Sequence, residues 1–189
     1  MLSKHGTLLL ALFVSISNPA TAQDVAGHAK QAVELGWTYF NKGDADTALK
    51  RFNQARIIDP RFAPGYFGTA YVYSVQGQLE QAIQYYWKSI ELDPSFSPAY
   101  SNLGLALIYS GKTAEAFPIL KKALDLDPGN GDAHANFAVY YFNAGDYAAA
   151  WQHVHAAQDK QAVVSPELIA DLKRKLPEPT RQRADTAKP

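Results

Sequence analysis

Apolar residues recur through the middle of the chain at the spacing of amphipathic helices. In the first such segment, the residues at i, i+3, i+4 and i+7 are Ala32, Leu35, Gly36 and Tyr39. Residues at this spacing share one face of a helix. Four such segments each end at a glycine, and a second apolar segment follows each glycine. Three of these second segments end at an Asp-Pro pair. Because glycine tolerates the left-handed backbone that ends a helix, and the residue before proline avoids the helical region, this pattern predicts helix hairpins.

The predicted hairpins repeat with a period of 34 residues. Glycine stands at positions 43, 77, 111 and 145, alanine at 48, 82, 116 and 150, and proline at 60, 94 and 128. A small residue keeps the same phase within the first helix of each hairpin, at Gly36, Ala70, Gly104 and Ala138. A fixed offset of this size predicts a repeat architecture, because a single hairpin leaves its apolar face uncovered and stacked hairpins share one continuous core.

This arrangement resembles the tetratricopeptide repeat, a helix–turn–helix unit of 34 residues. The first repeat carries Leu35-Gly36, Tyr39, Ala48, Phe52, Ala55 and Pro60, and the third carries Leu103-Gly104, Ala116, Ala123 and Pro128. The second repeat departs from the pattern at Thr69-Ala70, and the fourth has Ala162 in place of the closing proline. The resemblance implies an all-α fold, an α-solenoid with a right-handed superhelix. Its four hairpins would occupy residues 29–62, 63–96, 97–130 and 131–164.

The segment before the repeats has the pattern of an export signal. Residues 1–22 contain a short basic start, an apolar run and the small-residue motif Ala20-Thr21-Ala22. This pattern predicts a signal peptide that is cleaved after Ala22, and a periplasmic or secreted protein. The apolar run is about ten residues long and a membrane span needs about 20, so we expect no stable membrane insertion after cleavage. The alternative is an uncleaved membrane anchor.

The segment after the repeats predicts a cover for the last hairpin. Ser165 followed by Pro166 is typical of a helix start, with serine as N-cap and proline in the first turn. We therefore expect a capping helix over residues 165–176, which would complete a repeat domain over residues 23–176. Residues 177–189 are polar and rich in proline and show no periodicity, which predicts a disordered tail.

Composition and motifs narrow the chemistry. The chain has 18 basic and 18 acidic residues and no cysteine, which argues against a nucleic-acid partner and excludes disulfides, thiolate metal sites and cysteine nucleophiles. His153 and His155 are two residues apart and point away from each other on a helix, while His134 occupies an aromatic position of the repeat. Because no catalytic or cofactor-binding motif is present either, we expect no metal, no cofactor and no enzymatic activity.

The resemblance implies that the first helix of each repeat lines a concave groove. The predicted groove residues are Trp37, Phe40, Phe67, Tyr71, Asn102, Leu105, Tyr109, Asn136 and Val139. Aromatic side chains contribute much of the binding energy at interfaces, although these rings could instead only pack against neighbouring helices. Some family members bind C-terminal carboxylates through Lys and Arg, at positions that here hold Val33, Trp37, Gly68, Pro98 and Asn102. An extended or amphipathic segment is therefore the expected occupant.

These features together predict a non-enzymatic scaffold of the bacterial cell envelope that binds a segment of a protein partner. The alternative is a self-assembling structural protein, a homo-oligomer joined through exposed aromatics on the second helices: Tyr85, Trp87 and Trp151. A hydrolase or carbohydrate-processing accessory would need paired carboxylates. The predicted groove offers only Glu34 and Asp132, which lie in different repeats.

Overall fold

The computed structural model describes residues 19–180, and every regular element in this range is an α-helix. The helices are α1 (Pro19–Asn41), α2 (Ala45–Ile58), α3 (Ala63–Val75), α4 (Leu79–Leu92), α5 (Ser97–Tyr109), α6 (Thr113–Leu126), α7 (Gly131–Ala144), α8 (Tyr147–Asp159) and α9 (Pro166–Lys175). The predicted all-α fold is confirmed. Residues 1–18 of the predicted signal peptide and residues 181–189 of the predicted tail lie outside the described residues. None of the described helices is both long enough and apolar enough to cross a membrane.

The chain divides into two compact units, one ending at Ser95 and the other beginning at Phe96. Unit 1 contains the hairpins α1–α2 and α3–α4, and unit 2 contains the hairpins α5–α6 and α7–α8 followed by α9. Within each unit the helices that pack most extensively are the two members of one hairpin. Each predicted repeat therefore contains one hairpin.

The hairpin turns close at the glycines that the repeat pattern singles out. Gly43, Gly77, Gly111 and Gly145 all have φ between +74° and +81°. In the first turn the Gly43 N–H donates to the Phe40 carbonyl and the Asp44 N–H to the Tyr39 carbonyl, at 2.9 and 3.0 Å. These bonds satisfy carbonyls that the end of a helix would otherwise leave without partners. The Asp-Pro prediction is confirmed as well, because α2, α4 and α6 each end directly before such a pair.

A pair of glycine substitutions separates the turn conformation from helix propensity. Gly145→Ala places a side chain at φ +80°, so we expect it to lower the free energy of unfolding by about 1–2 kcal/mol. Gly27→Ala, inside α1 and facing open space, is expected to raise it by about 0.5–1 kcal/mol. Thermal unfolding followed by circular dichroism measures both changes, and equal shifts for the two variants would contradict the assigned turn.

The core of unit 1 is centred on Phe52. This ring is fully buried and lies against Gly36 of α1 and Gly68 of α3, where a Cβ at either position would overlap it. One prediction about α1 is wrong: Leu35, which the spacing places on one face with Ala32 and Gly36, is 38% exposed. Val33, at a position where some family members bind a ligand, is buried instead. The buried face of α1 is centred on Ala29, Ala32, Val33 and Gly36, which rotates Leu35 towards its edge.

The last hairpin of unit 2 is covered by α9. Ser165 is the N-cap of this helix, as predicted, and its Oγ accepts the Leu168 N–H at 3.2 Å. Leu172 packs into a buried cluster with Trp151 of α8, and the Trp151 Nε1–H donates to the Leu176 carbonyl at 2.9 Å. The expectation that Trp151 is exposed is therefore wrong, because α9 covers its ring. Trp87 of unit 1, by contrast, is 44% exposed.

Candidate functional site

Four of the predicted groove residues meet in unit 1. Trp37 and Phe40 of α1 and Phe67 and Tyr71 of α3, which we call the aromatic cluster, are all half-buried. The ring centroids of Trp37 and Tyr71 are 5.2 Å apart, as are those of Phe40 and Tyr71, and both pairs are edge-to-face. The Trp37 and Phe67 centroids are 6.0 Å apart. The structure thus brings together four side chains that the sequence places on two separate helices.

The local sequence explains this convergence. Trp37 and Phe40 are three residues apart on α1, and Phe67 and Tyr71 are four apart on α3, so each pair shares a helix face. The glycines at 36 and 68 let both helices approach the Phe52 ring, and Trp37 rests edge-on against that ring with centroids 5.0 Å apart. Edge-to-face pairs are each worth about 0.5–1.5 kcal/mol beyond burial. The cluster is therefore held in place by the core beneath it and keeps part of its surface accessible.

The remaining predicted residues lie in unit 2, where their surroundings differ. Tyr109 is 62% exposed, Leu105 and Val139 are half-buried, and the half-buried Asn102 donates through Nδ2 to the Pro98 carbonyl at 3.0 Å. Asn136 is buried, and its Nδ2 donates to both the carbonyl and the Oγ of Ser101, each at 3.0 Å. A hydrogen bond from this nitrogen to a partner would require those bonds to break.

A histidine pair in unit 2 has no counterpart in the sequence predictions. The Nδ1 atoms of His134 on α7 and His153 on α8 are 3.1 Å apart, a distance at which one imidazole donates to the other. The His153 ring also stacks on Phe137 and Tyr141, with centroids 4.8 and 5.3 Å apart. The pair spans 19 residues and two helices, so no sequence spacing indicates it. Among the described residues, no group of three or more His, Cys, Asp or Glu side chains could hold a metal ion.

The surroundings of both imidazoles disfavour the charged form. Burial, together with a smaller effect of the neighbouring His134, lowers the pKa of His153 from its ordinary value of 6.5 to about 4. Burial also lowers the pKa of His134, and Lys160 contributes in the same direction, while a hydrogen bond with the Pro128 backbone opposes the shift. Near neutral pH both rings are therefore neutral, which allows the hydrogen bond between them.

Acidification is expected to destabilise unit 2 through this pair. The unfolded chain binds the proton of His153 near pH 6.5 and the folded chain only near pH 4, so stability present above pH 6.5 is lost between these values. His153→Phe retains a ring between Phe137 and Tyr141 but removes the proton site. We expect its free energy of unfolding, measured by urea titration from pH 7 to 4.5, to fall less than that of the wild type. His28→Gln, at an exposed position of α1, is the control and should follow the wild type.

The sequence and fold comparisons agree on one class of protein, the helical-repeat scaffolds. Three family profiles, each described as tetratricopeptide repeat, match residues 107–176, 63–96 and 85–117, which together span more than half of the chain. The chain belongs to the tetratricopeptide-repeat family. Members of this family are typically non-enzymatic protein–protein interaction modules. A search of the curated proteins finds no match.

Solved structures with the same fold share little sequence identity with this chain. A thermophilic TPR protein from Thermus thermophilus superposes with a TM-score of 0.70 at 19% identity, covering 78% of this chain and 82% of that one. PilF from Pseudomonas aeruginosa gives 0.69 at 21%, covering 80% and 70%. The first TPR of Spaghetti (RPAP3), bound to the HSP90 peptide SRMEEVD, gives 0.60 at 24%, covering 63% and 97%. At these identities the likeness shows the fold alone.

Proposed function

We propose that this protein is a scaffold of the bacterial cell envelope that binds a segment of a partner protein on the aromatic cluster. One observation carries the proposal: four side chains that the repeat register assigned separately to a groove lie together on α1 and α3 and remain partly accessible. Aromatic rings fixed by their neighbours lose little entropy on binding, which favours them as anchors for an incoming apolar side chain.

The chemistry of the cluster favours an apolar or amphipathic segment as the partner. The cluster consists of four rings and carries no formal charge. Family members that bind carboxylates use Lys and Arg, and two of the positions of those residues hold Val33 and Trp37 in this chain. The RPAP3 repeat domain supports peptide binding as the general mode of action, because that domain has the same kind of fold and is bound to a peptide. For this chain we propose apolar contacts in place of a charged clamp.

The proposed location in the cell envelope is supported by the signal-peptide pattern of residues 1–22. Amino-terminal sequencing of the exported protein tests it directly. We expect a mature chain that starts at Gln23, and a chain that retains Met1 in the cytoplasm would contradict both the cleavage and the location.

Site-directed photocrosslinking tests the binding surface. A benzoylphenylalanine at position 40 or 71 is expected to crosslink the full-length protein to one recurrent partner in intact cells. The same photoreactive residue at the exposed position 87 is the matched control and should not capture that partner. Tyr71→Ala should reduce capture from position 40 while leaving the helical circular dichroism intact. Equal capture from position 87, or capture that Tyr71→Ala leaves unchanged, would contradict the assignment.

A further inference from the structure

A second candidate site lies in unit 1, centred on Arg56 of α2. Its guanidinium carbon is 5.0 Å from the ring centroid of Tyr66 on α3 and 4.8 Å from that of Tyr85 on α4. Its Nη1 donates to the Oγ1 of buried Thr69 at 3.4 Å. The Tyr66 hydroxyl is anchored in turn by donating to the Pro60 carbonyl at 3.1 Å. Three helices therefore fix the orientation of this planar cation.

No carboxylate of the described residues forms an ion pair with Arg56. Its buried Nε has no hydrogen-bond partner among residues 19–180. Cation–π contacts attract the guanidinium but do not neutralise it. A partly buried cation that is held rigidly without a counter-charge is costly unless an anion joins it.

A cleft of about 240 Å³ opens beside this cation. It is lined by Leu49, Lys50, Asn53, Arg56, Thr69, Tyr73 and Tyr85. Lys50, Asn53 and Arg56 follow one another at intervals of three along α2, which adds a second cation and an amide to the same wall. Tyr73 and Tyr85 stack with centroids 5.5 Å apart and form an aromatic wall. Ligand sites for drug-sized molecules measure about 300–1,000 Å³, so this cleft suits a smaller group.

We propose that this cleft binds the carboxylate of a small organic acid, with Arg56 as the anchoring residue. The planar guanidinium matches a carboxylate in two parallel hydrogen bonds, and the tyrosine wall can cover an attached ring or short chain. A phosphate fits less well. Sites for phosphate are usually built from backbone N–H groups at loops or helix starts, whereas this cleft is lined by side chains that all lie beyond the first turn of α2, α3 or α4. This site is distinct from the aromatic cluster.

Titration of the full-length, nitrogen-15-labelled protein tests the proposal by NMR. The Nε–Hε signal of Arg56 is the reporter, because its burial protects the proton from exchange. N-acetyl-L-phenylalanine is the probe, its uncharged amide is the matched ligand, and inorganic phosphate is the second anion. We expect a saturable shift with the acid, and affinity at least about tenfold weaker for the amide and for phosphate.

Variants separate the anchor from the net charge. Arg56→Gln should weaken binding of the acid by about tenfold or more, and Arg61→Gln, an equal charge change at an exposed position of the same unit, should leave it unchanged. If Arg56→Gln fails to fold, Lys50→Ala at the exposed rim of the cleft should still weaken binding by several-fold. Equal binding of acid and amide, tighter binding of phosphate, equal losses in Arg56→Gln and Arg61→Gln, or no saturable shift would each overturn the proposal.

Discussion

Phe52→Ala is expected to lower the free energy of unfolding of unit 1 by about 3–5 kcal/mol. The ring is fully buried and supports α1 at Gly36, α3 at Gly68 and the edge of Trp37. Glycines have no side chain with which to fill the space left by the ring, so the cavity would persist unless the helices moved inward. Because Trp37 belongs to the aromatic cluster, the substitution should also impair partner binding without touching the partner.

Hydrogen exchange is the measurement of choice for this variant, because repeat proteins often unfold unit by unit. We expect the free energy of protection against hydrogen exchange to fall by about 3–5 kcal/mol for the amides of α1–α4. Ile57→Ala is the matched control, since it removes a large apolar side chain from the same helix at a position that is 72% exposed. It should change stability by no more than about 0.5 kcal/mol. Comparable losses in the two variants would mean that Phe52 does not form the core described above.

Trp151→Ala is the second substitution with a large expected effect, at about 3–5 kcal/mol in unit 2. It removes a fully buried ring from the cluster that contains Leu172, and it leaves the Leu176 carbonyl without its donor. Both losses act where α9 packs on the preceding hairpin. We expect α9 to detach first, which a lower helical signal and early exchange of its amides would report.

Trp87→Ala is the control for this prediction, because it removes the same side chain from a position that is 44% exposed. Its cost in stability should be well below that of Trp151→Ala. The same variant bears on the self-assembly alternative, since Trp87 is the most exposed of the three residues named for it. Light scattering of the purified protein measures the oligomeric state, and an unchanged monomer in both wild type and Trp87→Ala would argue against that alternative.

The repeat register predicts the hairpins because their signals are local. Glycine at 43 and its three equivalents adopts positive φ whatever packs around it, and Asp-Pro ends a helix through steric contacts between adjacent residues. The N-cap Ser165 is equally local. Because neighbouring residues alone determine such features, they can be predicted directly from the sequence.

The features that the sequence does not predict depend on contacts between separate helices. The repeat pattern places Trp151 on the outer face of a second helix. The sequence predicts a capping helix after the repeats, but it does not indicate that this helix covers the Trp151 ring. The His134–His153 contact and the Arg56 stacking likewise join separate helices. For the candidate site, the register places Trp37 and Tyr71 in one predicted groove, and their rings are in contact in the structure. It gives no indication that the Nδ2 of Asn136 already donates to Ser101.

The short turns of the hairpins also favour rapid folding. Only two or three residues join the two helices of each hairpin. Because the helices that pack most extensively belong to one hairpin, most contacts have short sequence separation. Helical proteins with such low contact order fold in microseconds to milliseconds. Since a nascent chain emerges amino-terminal end first, the two hairpins of unit 1 can form before all of unit 2 has emerged.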